Sequence, residues 1–97
     1  RFTRAHMALA DVLIGLGRYQ DARAQVADVL AYAPDHSPAL YCAAYLEVQL
    51  ERPEAARPYL TLLFAQERDP ALLQKARTLQ SYIDKKLSIK PGPPQGG

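Results

Sequence analysis

The residues able to do chemistry in this 97-residue chain are few and far apart. There is one cysteine, Cys42, so no internal disulfide forms and a cysteine-based zinc site lacks ligands. The two histidines, His6 and His36, stand far apart in sequence, and neither completes a nucleophile–base set with a serine or with Cys42. Cys42 sits among Tyr41, Ala43 and Ala44 in a helical run and reads as a small, partly buried side chain. Glu47 and Glu51 are spaced i, i+4, so they are expected to share a helix face as solvated surface. Gly15-x-Gly17 follows a helical run, not a strand, and opens no phosphate-binding loop. The expectation is therefore a non-enzyme, with no catalytic residue, no metal, no cofactor and no small-molecule substrate.

Composition narrows the remaining classes. Hydrophobic residues make up 48% and charged residues 23%, as in ordinary globular proteins. The formal net charge of +2 makes no strong basic field, and Lys85, Lys86 and Lys90 are too few for a nucleic-acid or membrane patch. No apolar run approaches the ~18 residues that span a bilayer. The chain begins at Arg1 and reads as a segment of a longer protein.

What could hold any binding residues in place is a set of helices. Ala, Leu, Arg and Gln dominate the chain as far as Leu87, and glycine and proline punctuate it. A first helix is expected over Thr3–Leu16, closed by Gly17 as a left-handed C-cap. A second runs from Tyr19 to Tyr32 and stops before Pro34. Ser37-Pro38 reads as N-cap and first helical residue of a third, to Leu50. Arg52-Pro53 opens a fourth, to Gln66, in which Pro58 predicts a kink or a late start. Asp69-Pro70 opens a fifth, to Leu87. Connections this short make neighbouring helices antiparallel. The tail 91–97, Pro-Gly-Pro-Pro-Gln-Gly-Gly, has nothing to bury and is expected to be disordered.

The helices repeat. Ala22 and Ala56, Val26 and Leu60, Leu30 and Phe64, and Leu9-Ala10 and Ala43-Ala44 all pair at an offset of 34. The first unit reads His6-x₂-Leu9-Ala10-x₂-Leu13, then Ala22-x₃-Val26, then Pro34. The second reads Leu40-x₂-Ala43-Ala44-x₂-Glu47, then Ala56-x₃-Leu60, with Arg68 where a proline is expected. Leu72-x₂-Lys75-Ala76-x₂-Leu79 offers a further half unit. In period and pattern the chain resembles the tetratricopeptide repeat from residue 3 to about 87. The resemblance implies an all-α fold of antiparallel helix-turn-helix repeats, stacked as a short right-handed solenoid. It divides residues 1–90 into units 3–36 and 37–68 and a capping helix 69–88. The cap would bury a stripe of Leu72, Ala76, Leu79, Ile83 and Leu87.

Function in similar proteins is protein binding, on a concave face lined by the first helix of each unit. Stepping by 34 and then by 32, the spacing from Ser37 to Asp69, gives three rungs. They are Met7–Tyr41–Leu73, Asp11–Tyr45–Arg77 and Ile14–Val48–Gln80. The expected partner-binding residues are thus Met7, Asp11, Ile14, Tyr41, Tyr45, Val48, Leu73 and Arg77. The face is mostly apolar and aromatic, and suits a peptide or helical segment of another protein. Chaperone carboxylate capture fits poorly, because Asp11 stands where relatives place cationic or amide side chains. Recognition of RNA also fits poorly, because Tyr41, Leu73 and Ile14 read no base and bind no phosphate. The chain would then be part of a larger scaffold. The competing expectation is self-association through the first helix pair.

Overall fold

The computed structural model describes residues 3–88. They form five helices: α1 (Thr3–Gly15), α2 (Tyr19–Tyr32), α3 (Ser37–Gln49), α4 (Pro53–Gln66) and α5 (Pro70–Ser88). The tail 91–97 lies outside the described residues.

The helix ends follow from local chemistry. Gly17 has φ 75°, and the Arg18 and Gly17 N–H groups donate back to the carbonyls of Leu13 (2.8 Å) and Ile14 (3.0 Å). This paired closure satisfies two orphan carbonyls of α1. It recurs one repeat on, where Arg52 donates to Glu47 (2.7 Å) and Glu51 to Val48 (3.0 Å). There the left-handed position is held by Glu51, with φ 64°. The α4 helix starts at Pro53 and runs through the exposed Pro58, so the late start expected from that proline does not occur.

The cap of α3 differs from the expectation. The N-cap of α3 is His36, and Ser37 is the first helical residue. Ser37 is buried instead of capping. Its Oγ accepts from Gln66 Nε2 at 2.9 Å, and the same amide donates to the Asp35 carbonyl. Hydrogen bonds from the Ser37 side chain and the Asp69 backbone hold the Glu67 carboxyl below its usual range. Asp69 does cap α5: its carboxylate accepts from the Ala71 N–H at 3.3 Å.

Two hydrophobic cores share one helix. Ala10 and Leu13 of α1 pack with Ala22, Val26 and Val29 of α2 against Ala39, Ala43 and Leu46 of α3. Leu40, Ala44 and Val48, on another side of α3, pack with Ala56, Leu60 and Leu63 of α4 and with Ala76, Leu79 and Ile83 of α5. Because α3 is covered on two sides, it is apolar nearly all round. The sequence repeat is visible in space: Ala10 and Ala44, and Ala22 and Ala56, are all fully buried. Alanines at these points let the helices of each pair approach closely.

The step to α5 runs from His36 to Asp69, the two caps, and is one longer than the step taken from Ser37. Packing agrees. Ala43 and Leu46 bury α3 against α2, and the same step from them leads to Ala76 and Leu79, which bury α5 against the α3–α4 core. The step inferred from Ser37 falls short because Ser37 lies inside its helix.

Candidate functional site

The first helices of the units line up side by side, and a groove of about 430 Å³ opens between α3 and α5. Tyr41, Tyr45, Val48 and Gln49 form its α3 wall, and Gln74, Lys75, Thr78, Leu79 and Tyr82 its α5 wall. The spacing explains the set. Tyr41, Tyr45 and Gln49 recur every helical turn on one face of α3, and Gln74, Thr78 and Tyr82 do so on α5. Tyr41 and Tyr45 are half-buried with their bodies packed on the core, while Tyr82 is exposed. Lys86 Nζ sits 5.8 Å from the Tyr82 ring centre, within cation–π range.

Of the residues expected to bind a partner, the groove gathers Tyr41, Tyr45 and Val48. Leu73 and Arg77 lie outside it. They share a helix face with Gln80 and Asp84, and Asp84 accepts from Arg57 of α4 at 3.0 Å, so that face is turned toward α4. Gln74 and Thr78 stand one place beyond Leu73 and Arg77, and Tyr82 stands opposite Gln49, as the step from His36 to Asp69 requires. Gln74, Thr78 and Tyr82 are therefore legible from the sequence once His36 is matched with Asp69.

The α1 residues sit apart from this groove. Met7 lines a separate hollow of about 350 Å³ with Thr3, Arg4, His36 and Pro38. Ile14 is half-buried against the first core. Asp11 is exposed and close enough to Cys42 to act on its thiol. Burial pushes that thiol up to about 11; Asp11 adds to the rise, and Lys75 of α5 opposes it. Cys42 thus reports an acid on one neighbouring helix and a base on the other. Burial, with smaller effects from Cys42 and Tyr45, also raises the Tyr41 phenol. A thiol held protonated is a poor nucleophile.

Elsewhere His6 Nδ1 lies 2.8 Å from Gln25 Oε1, joining α1 to α2. Among the described residues, no group of three or more His, Cys, Asp or Glu is placed to hold a metal ion. No helix among them is long and apolar enough to cross a membrane. Glu47 departs from its expected place on the surface: it is only 2% exposed, and Arg23 Nε donates to its Oε2 at 2.9 Å. Glu51, its supposed companion, lies beyond the helix end and is exposed.

Helix pairs stacked on a shared central helix, with a groove along their first helices, define an α-solenoid of helix-turn-helix repeats. The family model for the tetratricopeptide repeat matches residues 13–79, and the chain belongs to that family. No match was found among curated proteins or among solved structures. Repeats of this family are non-catalytic and generally serve as protein-interaction modules.

Proposed function

We propose that this chain is a non-enzymatic interaction module of a larger scaffold, and that the α3–α5 groove takes a peptide or helical segment of another protein. The observation that carries the reading is the wall of the groove. Three tyrosines, Tyr41, Tyr45 and Tyr82, stand around an apolar floor of Val48 and Leu79, with Gln49, Gln74 and Thr78 to hydrogen-bond a main chain. Tyrosine supplies large contact area at small entropic cost, as interface anchors do. Met7, Asp11 and Ile14 on α1 would extend the same surface for a longer ligand; Leu73 and Arg77 would meet only a ligand that wraps over α5.

The test is selection of peptide ligands from a random display library on the immobilised chain, followed by titration of the winners. Tyr45→Ala is expected to weaken them at least tenfold, as loss of a central anchor costs about 2 kcal/mol. Thr78→Arg, an exposed change, is expected to block them without touching the core. Unchanged affinity in both variants, with helical circular dichroism retained, rules the groove out.

A second reading is self-association, and one observation favours it. Leu9 and Val12 on α1 and Leu16 just past its end form a stripe, 44%, 57% and 66% exposed. At i, i+3 and i+7 they share a helix face with nothing described against it. A second copy covering this stripe would show as concentration-dependent mass in light scattering, removed by Val12→Lys. A monomer at all concentrations dismisses it.

A further inference from the structure

The walls of the α3–α5 groove narrow the chemistry of what fills it. Tyr41, Tyr45 and Tyr82 give it three aromatic faces. Their phenols, the amides of Gln49 and Gln74 and the Lys75 ammonium all present O–H or N–H donors. Lys75 is the one charge among the described residues that line it, so a cationic ligand enters against it. The ligand that matches offers flat apolar faces and free carbonyls, and carries no positive charge. A proline-rich segment in the polyproline II conformation has all three properties, since its carbonyls make no internal hydrogen bonds.

Such a segment follows α5 in this chain. Pro91-Gly92-Pro93-Pro94-Gln95 lacks a backbone N–H at three of its five positions, and no charge occurs from Pro91 to Gly97. The described helix ends at Ser88, two residues past Lys86, whose ammonium sits over the Tyr82 ring at the near end of the groove.

The reach is sufficient. At about 1.5 Å per helical residue, a chain turning back from Ser88 draws level with Tyr82 after about 9 Å and with Thr78 after about 15 Å. With Ile89 and Lys90 spent on the turn, residues 91–97 span about 22 Å at about 3.1 Å per residue. The tether also holds the segment at an effective concentration of roughly millimolar, so a weak contact suffices to fill the groove.

We propose that residues 91–97 dock in the α3–α5 groove as an extended proline-rich segment antiparallel to α5, so that a partner must displace the chain's own tail. The inference rests on the groove being a peptide site, and it adds the regulation of that site.

The experiment compares amide spectra of the full ¹⁵N-labelled chain with those of its Pro93→Ser/Pro94→Ser variant, whose changes lie outside every helix. The amides of Tyr45, Gln49, Gln74, Thr78 and Tyr82 are expected to shift between the two, those of α1 and α2 to stay, and the difference to survive tenfold dilution. Thr78→Arg, made from the other side of the contact, is expected to move the Gln95 and Gly96 amides to their positions in a free peptide of residues 89–97. Groove amides that coincide in the chain and its proline variant overturn the proposal. A difference that fades on dilution overturns it as well, because it marks the tail of a second copy. The peptides selected from the display library separate this failure from failure of the groove. Peptides that need Tyr45 but bind the chain and its proline variant equally keep the groove and dismiss the tail, whereas at least twofold tighter binding to the variant supports both.

Discussion

Glu51 stands one repeat after Gly17 and holds the same left-handed backbone, φ 64° against 75°. The two helix ends close with the same pair of hydrogen bonds, so the conformation is imposed by the turn and not chosen by the residue. The conformation costs a residue with a Cβ about 1–2 kcal/mol, and glycine nothing. What Glu51 gains in return is small: Lys86 Nζ lies 3.9 Å away, and Glu51 is 81% exposed. Glu51→Gly is expected to raise stability by about 1 kcal/mol in urea unfolding, after glycine's extra unfolded-state entropy is counted. A loss would show that the contact with Lys86 outweighs the backbone strain.

Glu47 gives a prediction of unusual sign. Replacing a buried ion pair with an apolar side chain of similar size is often neutral or stabilising. Arg23 and Arg52 are 39% and 54% exposed and can turn to water. Glu47→Leu, which copies Leu13, is expected to leave stability unchanged or raise it by about 1 kcal/mol. A clear fall in melting temperature would mean that the ion pairs hold α2, α3 and the α3–α4 turn together.

Cys42 offers a test of how the first helices are stacked. With its pKa raised to about 11, only about one thiol in a thousand is ionised at pH 8. Reaction with an aromatic disulfide reagent is therefore expected to be slow in the folded chain and fast in urea. Removing the carboxylate by Asp11→Asn should speed it, and Lys75→Ala should slow it, since Asp11 disfavours the thiolate and Lys75 favours it. The same shift makes stability fall with rising pH. The unfolded thiol releases its proton near 9.0 and the folded one near 11, so the unfolded state binds fewer protons in that window. Cys42→Ser is expected to flatten this part of the profile. Rates unmoved by both charge changes would place Asp11 and Lys75 further from Cys42 than the structure puts them.

Ala22 and Ala56 are each fully buried where paired helices cross. Enlarging either to leucine forces the crossing apart and is expected to cost about 1–3 kcal/mol. Ala24→Leu and Ala27→Leu, on the exposed side of α2, should leave the melting temperature almost unchanged. The contrast separates crossing points from surface within a single helix.

Much of this architecture can be read from residue order, for identifiable reasons. Gly17, Pro53 and Pro70 mark helix boundaries through backbone chemistry that depends on neighbours only, and they stand where that chemistry puts them. The alanine pairs at the repeat offset mark the crossings, because close approach leaves no room for anything larger. The groove is half legible. Its α3 wall follows from the first repeat step, but its α5 wall depends on whether Ser37 or His36 caps α3, and tertiary contacts decide that. Gln66 takes Ser37 into the interior, and a slip of one position turns each expected α5 side chain to another side of the helix. Glu47 falls outside its expected place for a related reason. Its charge argues for solvent, and Arg23 from the preceding helix together with Arg52 from the following turn makes its burial tolerable.

Ser37 and Gln66 also bear on how the stack comes apart. In a linear array each unit touches only its neighbours, so helix ends can open one at a time unless something ties them. Here the last residue of α4 reaches back to the junction before α3, bonding Ser37 and the Asp35 carbonyl, and Ser37 engages Glu67 in turn. Fraying of α4 therefore exposes a buried hydroxyl at the far start of the same helix pair. The two ends of that pair are therefore expected to exchange their amide protons together, as a single cooperative unit.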